Sequence, residues 1–191
     1  MISRLPLALI PRSLRGLLTV PVLLAGLSPA LARPLTEVES AALGTTVAAF
    51  DAAVGNGDFE AIIEIIPPRM IEHIADEAKV PVDELLAALK TQIDEVFATV
   101  ELVSFGMDAE NAEQRELADG SPYVLIPTTT VMEADGLGRI QVDSHTLGLL
   151  DTESWYLIRV GDAAMVGVLR QVYPQFVDVE FPSETMKALE D

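Results

Sequence analysis

Apolar residues recur at helical spacing up to about Phe97 and alternate with polar ones beyond it. A period of 3.6 lines side chains along one helix stripe, and a period of 2 puts them on one face of a strand. The two halves of the chain therefore need different secondary structure. Thr36-Glu37-Val38-Glu39 has the form of a capping box, with Thr36 as N-cap and Glu39 reaching back to it. Leu43, Val47, Phe50 and Val54 then make one apolar stripe, which predicts an amphipathic helix ended by Gly55. Asn56-Gly57-Asp58 predicts a turn, with Asp58 capping a short second helix that carries Phe59, Ile62, Ile63 and Ile66. Pro67-Pro68 stops that helix and opens a third over 68–79. Pro81 restarts the chain into a fourth helix, whose stripe is Leu85, Leu86, Leu89, Ile93, Val96 and Phe97.

Strands are predicted over 100–105, 113–117, 123–133, 139–149 and 155–160, separated by turn signals such as Asp119-Gly120 and Asp135-Gly136-Leu137-Gly138. Pro127 cannot donate to a ladder, so it predicts an edge position or a bulge. A short helix over 163–173 turns Met165, Val168, Leu169 and Val172 inward, and 182–191 reads as a loosely held tail. Helices followed by antiparallel strands predict an α+β domain, 33–181, with the helices gathered on one face of the sheet. Along the fourth strand Ile140, Val142 and Ser144 point one way, and Arg139, Gln141, Asp143 and His145 the other. One face is then expected to meet the helices and the other to meet water or a partner.

Residues 1–32 carry the marks of a cleaved secretory signal. Arg4, Arg12 and Arg15 form a basic start, Gly16 to Leu27 is uncharged, and Ala30 and Ala32 form an A-x-A cleavage site. The uncharged run is shorter than the roughly 20 residues a spanning helix needs. Export to the periplasm or beyond is expected, with no membrane association after cleavage. Loss of this leader takes three basic residues and no acidic one, so a net charge of −18 becomes −21. Such a charge repels phosphate backbones and anionic lipid, which argues against nucleic acid as a partner.

Several chemistries are excluded outright. The chain has no Cys and two His, so disulfides, thiolate metal sites, a cysteine nucleophile and a histidine-rich metal centre are all unavailable. It has no nucleophile elbow, phosphate-binding loop or dinucleotide fingerprint, and no cofactor is implied. Asp143 and His145, two apart on one strand, share a face and could do acid–base work with Tyr123 as a hydrogen-bonding helper. A solvated sheet face or a dimer contact accounts for the same row. Arg159 alternates with Trp155 and Leu157, which could turn it inward toward a bound anion, or leave it snorkelling at a strand end. Tyr123 and Tyr156 could offer hydroxyls to a cavity, or sit in the core with their tips at the surface. Thr128-Thr129-Thr130 reads as strand composition alone.

Asn56-Gly57-Asp58-Phe59-Glu60-Ala61-Ile62, the Pro67-Pro68 break and the strand Ser154-Trp155-Tyr156-Leu157-Ile158 together resemble the nuclear-transport-factor-2-like superfamily. The resemblance implies a cone in which a curved antiparallel sheet wraps around helices and leaves a hollow. That superfamily holds enzymes and non-catalytic modules alike, so shape alone does not assign a function. The resulting expectation is an exported non-enzymatic domain. It would bind a small apolar ligand or a partner segment in its cone, with Arg159, Trp155 and Tyr156 as candidate ligand contacts, or form a homodimer through its sheet. The alternative is a cofactor-free isomerase, hydratase or cyclase built on Asp143, His145 and Tyr123.

Overall fold

A computed structural model describes residues 33–134, 136 and 138–189. The expected leader over 1–32 and the turn residues Asp135 and Leu137 lie outside the described residues. Four helices come first: α1 (Glu37–Asn56), α2 (Phe59–Glu64), α3 (Pro68–Ala78) and α4 (Val82–Phe97). Five strands follow: β1 (Val100–Met107), β2 (Glu113–Glu116), β3 (Pro122–Ala134), β4 (Gly138–Asp151) and β5 (Ser154–Arg159). The chain closes with α5 (Ala163–Val172), a single 3₁₀ turn over Pro174–Phe176 and a last strand, β6 (Thr185–Ala188).

The local signals at the helix starts act as their chemistry requires. The Glu39 N–H donates to Thr36 Oγ1 at 3.2 Å, and the Thr36 N–H donates to the Glu39 carboxylate at 2.8 Å. Asp58 caps α2 by accepting from the Ala61 N–H, and α3 begins with Pro68 in its first turn. Helix α1 runs past Gly55. Termination awaits a residue in the left-handed region, which is Gly57 at φ 64°.

The six strands form one antiparallel sheet of order β1-β3-β4-β5, which curls strongly into a half-barrel. Strands β1 and β2 lie end to end along one flank of β3, opposite residues 128–134 and 122–125. Strands β5 and β6 lie end to end along the outer flank of β4, opposite residues 146–151 and 140–143. Pro127 thus sits in a central strand. Its carbonyl accepts from the Asp108 N–H at 2.8 Å, in the gap between β1 and β2. A strand residue's N and O point to the same flank, so the donor Pro127 lacks would fall where no ladder partner stands.

Helices pack against the curled sheet, with an apolar cluster on each of its faces. On one, Val124, Ile126, Trp155 and Leu157 meet Leu43 and Val47 of α1. On the other, Tyr123, Leu125, Leu147, Leu149 and Ile158 meet Val166 and Leu169 of α5, Phe176 and Met70 of α3. Each fully buried side chain of this size contributes about 1.5–3 kcal/mol of transfer free energy. The expectation that one face meets water is therefore corrected over this end of the sheet, where α5 supplies the second cover. The chain changes faces around the β5 edge. There the Leu157 N–H donates to the Ile65 carbonyl at 2.9 Å, and α3 goes on to join α5 through His73 Nε2 and Gln171 Oε1, 2.8 Å apart.

Within the tail 182–191, expected to hang loosely, Thr185–Ala188 instead enter the sheet as β6. All four residues of β6 are exposed, so no hydrophobic pattern marks them. Backbone pairing with β4 and two ion pairs, Arg159–Glu184 and Asp143–Lys187, hold them in place.

Candidate functional site

The α1 face of the sheet changes character along its length. At one end it carries Val124, Ile126 and Trp155, and β4 supplies Gly148, whose absent side chain lets Leu43 approach. A Cβ at Gly148 would stand 3.2 Å from Leu43 Cδ1. Further along, the same face carries Thr128 and Thr130 of β3 and Ser144 and Thr146 of β4. These short side chains do not reach α1, and the space left is a cavity of about 90 Å³. Phe50 of α1 and Phe105 of β1 roof it, with ring centroids 5.7 Å apart, while Leu157 and Arg159 of β5 close its side.

Hydroxyls form the floor. Thr128, Ser144 and Thr146 are each 5 % exposed, and no other polar or charged residues among those described are buried. Thr128 Oγ1 donates to the Ile126 carbonyl at 3.1 Å and lies 2.8 Å from Thr146 Oγ1, which can then donate to it. Arg159, the cross-strand partner of Thr146, is the one charged group among the described lining residues. Its guanidinium Nη2 donates to Glu184 Oε2 at 2.6 Å. Glu184 reaches it from the strap that joins the 3₁₀ turn to β6. The strap is pinned by Arg170 Nη2, which donates to the Val179 carbonyl at 2.9 Å, and by Phe181 packed against Phe176. It then passes over Gly161, where a Cβ would stand 2.8 Å from Glu184 Oε2 and 3.0 Å from Glu184 Cβ.

The residues singled out from sequence are divided among several places. Arg159 lines the cavity. Trp155 and Tyr156 line a separate open groove beside α1, with Thr45, Thr46 and Ile65, and Trp155 Nε1 is buried without a hydrogen-bond partner among the described residues. Tyr123 lies in the opposite cluster, with its ring edge-on to Phe176 at 5.5 Å. Asp143 and His145 alternate with Ser144 and Thr146, so their side chains leave the opposite face of β4 and neither lines the cavity. Asp143 accepts from Gln141 Nε2 at 2.6 Å, Lys187 Nζ at 3.2 Å and Thr129 Oγ1 at 3.1 Å. These bonds, that from Gln141 foremost, hold its carboxyl below the usual range. It is an anchor for β6 in this arrangement. His145 Nδ1 is buried and makes no hydrogen bond to the described residues.

Two titratable groups carried no sign in the sequence. Burial alone pushes the Asp51 carboxyl up, and its Oδ1, on α1, is buried without a hydrogen-bond partner among the described residues. Tyr173 donates to Asp151 at 2.7 Å beneath the Arg69 guanidinium, which stands 4.8 Å from its ring. Burial first, then that bond, raises its hydroxyl. This cluster ties α3, α5 and the end of β4 together. Among the described residues, no group of three His, Asp or Glu side chains is placed to hold a metal ion.

Compared with known proteins, the chain matches no protein family, no curated protein and no solved structure.

Proposed function

We propose that this chain is an exported binding domain that holds a compact ligand in the cavity between α1, β1 and the sheet. The observation that carries the reading is the hydroxyl floor under an aromatic roof. Three hydroxyls are buried together on a face that is otherwise apolar, where a cavity separates short side chains from Phe50 of α1. Buried polar groups in a core are costly unless they find partners, and a polar lining under apolar walls is the usual make-up of a small-molecule site. The ligand is therefore amphipathic, apolar toward Phe50, Phe105 and Leu157 and hydrogen-bonding toward Thr128, Ser144 and Thr146. It is small, because drug-sized pockets run to about 300–1,000 Å³.

Binding is favoured over turnover by the make-up of the lining. It contains neither a carboxylate nor a histidine, and the residues that could act as acid and base project from the other side of β4. The cone-like curl of the sheet around α1 also agrees with the nuclear-transport-factor-2-like resemblance as a proposal for kinship.

Native mass spectrometry of the full chain recovered from an exporting host tests both parts. The expected result is a chain beginning at Arg33 that carries a small adduct, released on unfolding. Ser144→Leu, which fills the floor with an apolar side chain, should remove the adduct and leave a cooperative thermal transition. A chain without an adduct whose transition is unmoved by any small amphipathic compound, or turnover abolished by Asp143→Asn, would contradict the reading.

A further inference from the structure

We infer that the cavity takes a short-chain monocarboxylate, whose carboxylate replaces that of Glu184 on Arg159. This rests on the binding reading above and names the class of ligand.

Three observations converge on it. Arg159 is the one cation in the lining, and it flanks Thr146, so a carboxylate on its guanidinium lies at the mouth while any attached carbon chain points toward Leu157 and the two phenyl rings. Outside the cavity lining, a carboxylate already engages this guanidinium, since Glu184 Oε2 accepts from Arg159 Nη2 at 2.6 Å. Glu184 is also readily displaced. Its partner's side chain is 55 % exposed, and ion pairs of that kind contribute only about 0–1 kcal/mol. Strap residues before and after it are fixed independently, by Arg170 and Phe181 on one side and by β6 on the other. Only one side chain need swing away.

The floor adds a second point of recognition. The Ser144 and Thr130 hydroxyls line the cavity and make no hydrogen bond to the described residues, so each can bind a hydroxyl or carbonyl oxygen on the ligand chain. The acidic surface repels anions over about 8 Å at physiological salt, whereas the guanidinium contact acts at bonding distance. Glu184 thereby serves as an internal competitor, occupying Arg159 until a ligand carboxylate replaces it.

An NMR titration of the isotopically labelled full chain with butyrate, and with its neutral isostere butyramide, decides the matter. The expected result is saturable shifts of the Ser144, Thr146 and Arg159 amides with butyrate and about tenfold weaker binding of butyramide, the scale set by a charge-assisted hydrogen bond. Glu184→Gln should tighten butyrate by up to about fivefold by removing a competitor of about 0–1 kcal/mol, and Arg159→Gln should erase the preference for the acid. Equal binding of the two compounds, or a preference that survives Arg159→Gln, overturns the carboxylate assignment and leaves the cavity reading standing. Failure of both compounds to move these resonances, even in Glu184→Gln, overturns both.

Discussion

At the scale of single residues, two acidic groups set opposite pH behaviour. The Glu39 carboxyl is lowered to about 2, chiefly by the Arg33 guanidinium and then by the Thr36 N–H and hydroxyl. A group whose pKa falls on folding stabilises the fold at pH above its unfolded value of about 4.3, and that stability is lost as pH drops toward the folded value. Urea unfolding of Glu39→Gln should therefore show a smaller loss of stability between about pH 4.5 and 2 than the parent chain. Asp51 behaves in reverse. Its raised pKa means that ionisation opposes folding, so Asp51→Asn should raise the thermal midpoint near pH 7, and the gain should vanish below about pH 4, where both states are protonated. The capping pair was legible because its signal lies within four adjacent residues. Asp51 was not, since one acid in a helix says nothing about its neighbours in space. Thr128, Ser144 and Thr146 were also missed. Hydroxyls suit strands for reasons of propensity, and only the pairing of β3 with β4 gathers them under Phe50 and Phe105.

At the scale of elements, the helices were legible from stripes and caps, and the strands from alternation. Which face each element covers was not. Helix α5 was read as amphipathic, but its target depends on the chain crossing to the far face, and no local pattern encodes that. Leu169 lies fully buried in that second cluster, and Leu169→Ala should cost about 2–5 kcal/mol of unfolding free energy, measured by urea titration. A loss under about 1 kcal/mol would mean that α5 only rests on the sheet. Strand β6 was illegible for another reason: its side chains are all exposed, and backbone bonds and ion pairs hold it. The strap before it is the more sensitive element. Gly161→Ala sets a methyl group against both the carboxylate and the Cβ of Glu184, so the strap backbone must shift; it should detach Glu184, tighten butyrate about as much as Glu184→Gln does, and lower the thermal midpoint. Unchanged butyrate affinity would show that the strap holds its place by other contacts.

At the scale of the whole molecule, one curled sheet separates two sets of contacts with different tasks. The α5 face is filled by Leu125, Leu147, Phe176 and their neighbours, and its polar margin, with Asp143, Gln141 and Lys187, fastens β6. The α1 face is filled at the Gly148 end and open at the Ser144 end. Helices packed on an antiparallel sheet were foreseeable from the order of elements, whereas the cone and its hollow were expected only from the family resemblance. The size and polarity of the hollow follow from which residues happen to be short where α1 passes. A crystal structure of the full chain grown with butyrate is the most direct test of this division of labour. The expected density lies between Phe105 and Thr146, with a carboxylate on Arg159 and Glu184 turned away. Butyrate bound instead beside Asp143 and His145, or Phe50 and Leu157 collapsed onto the hydroxyls with no ligand present, would contradict it.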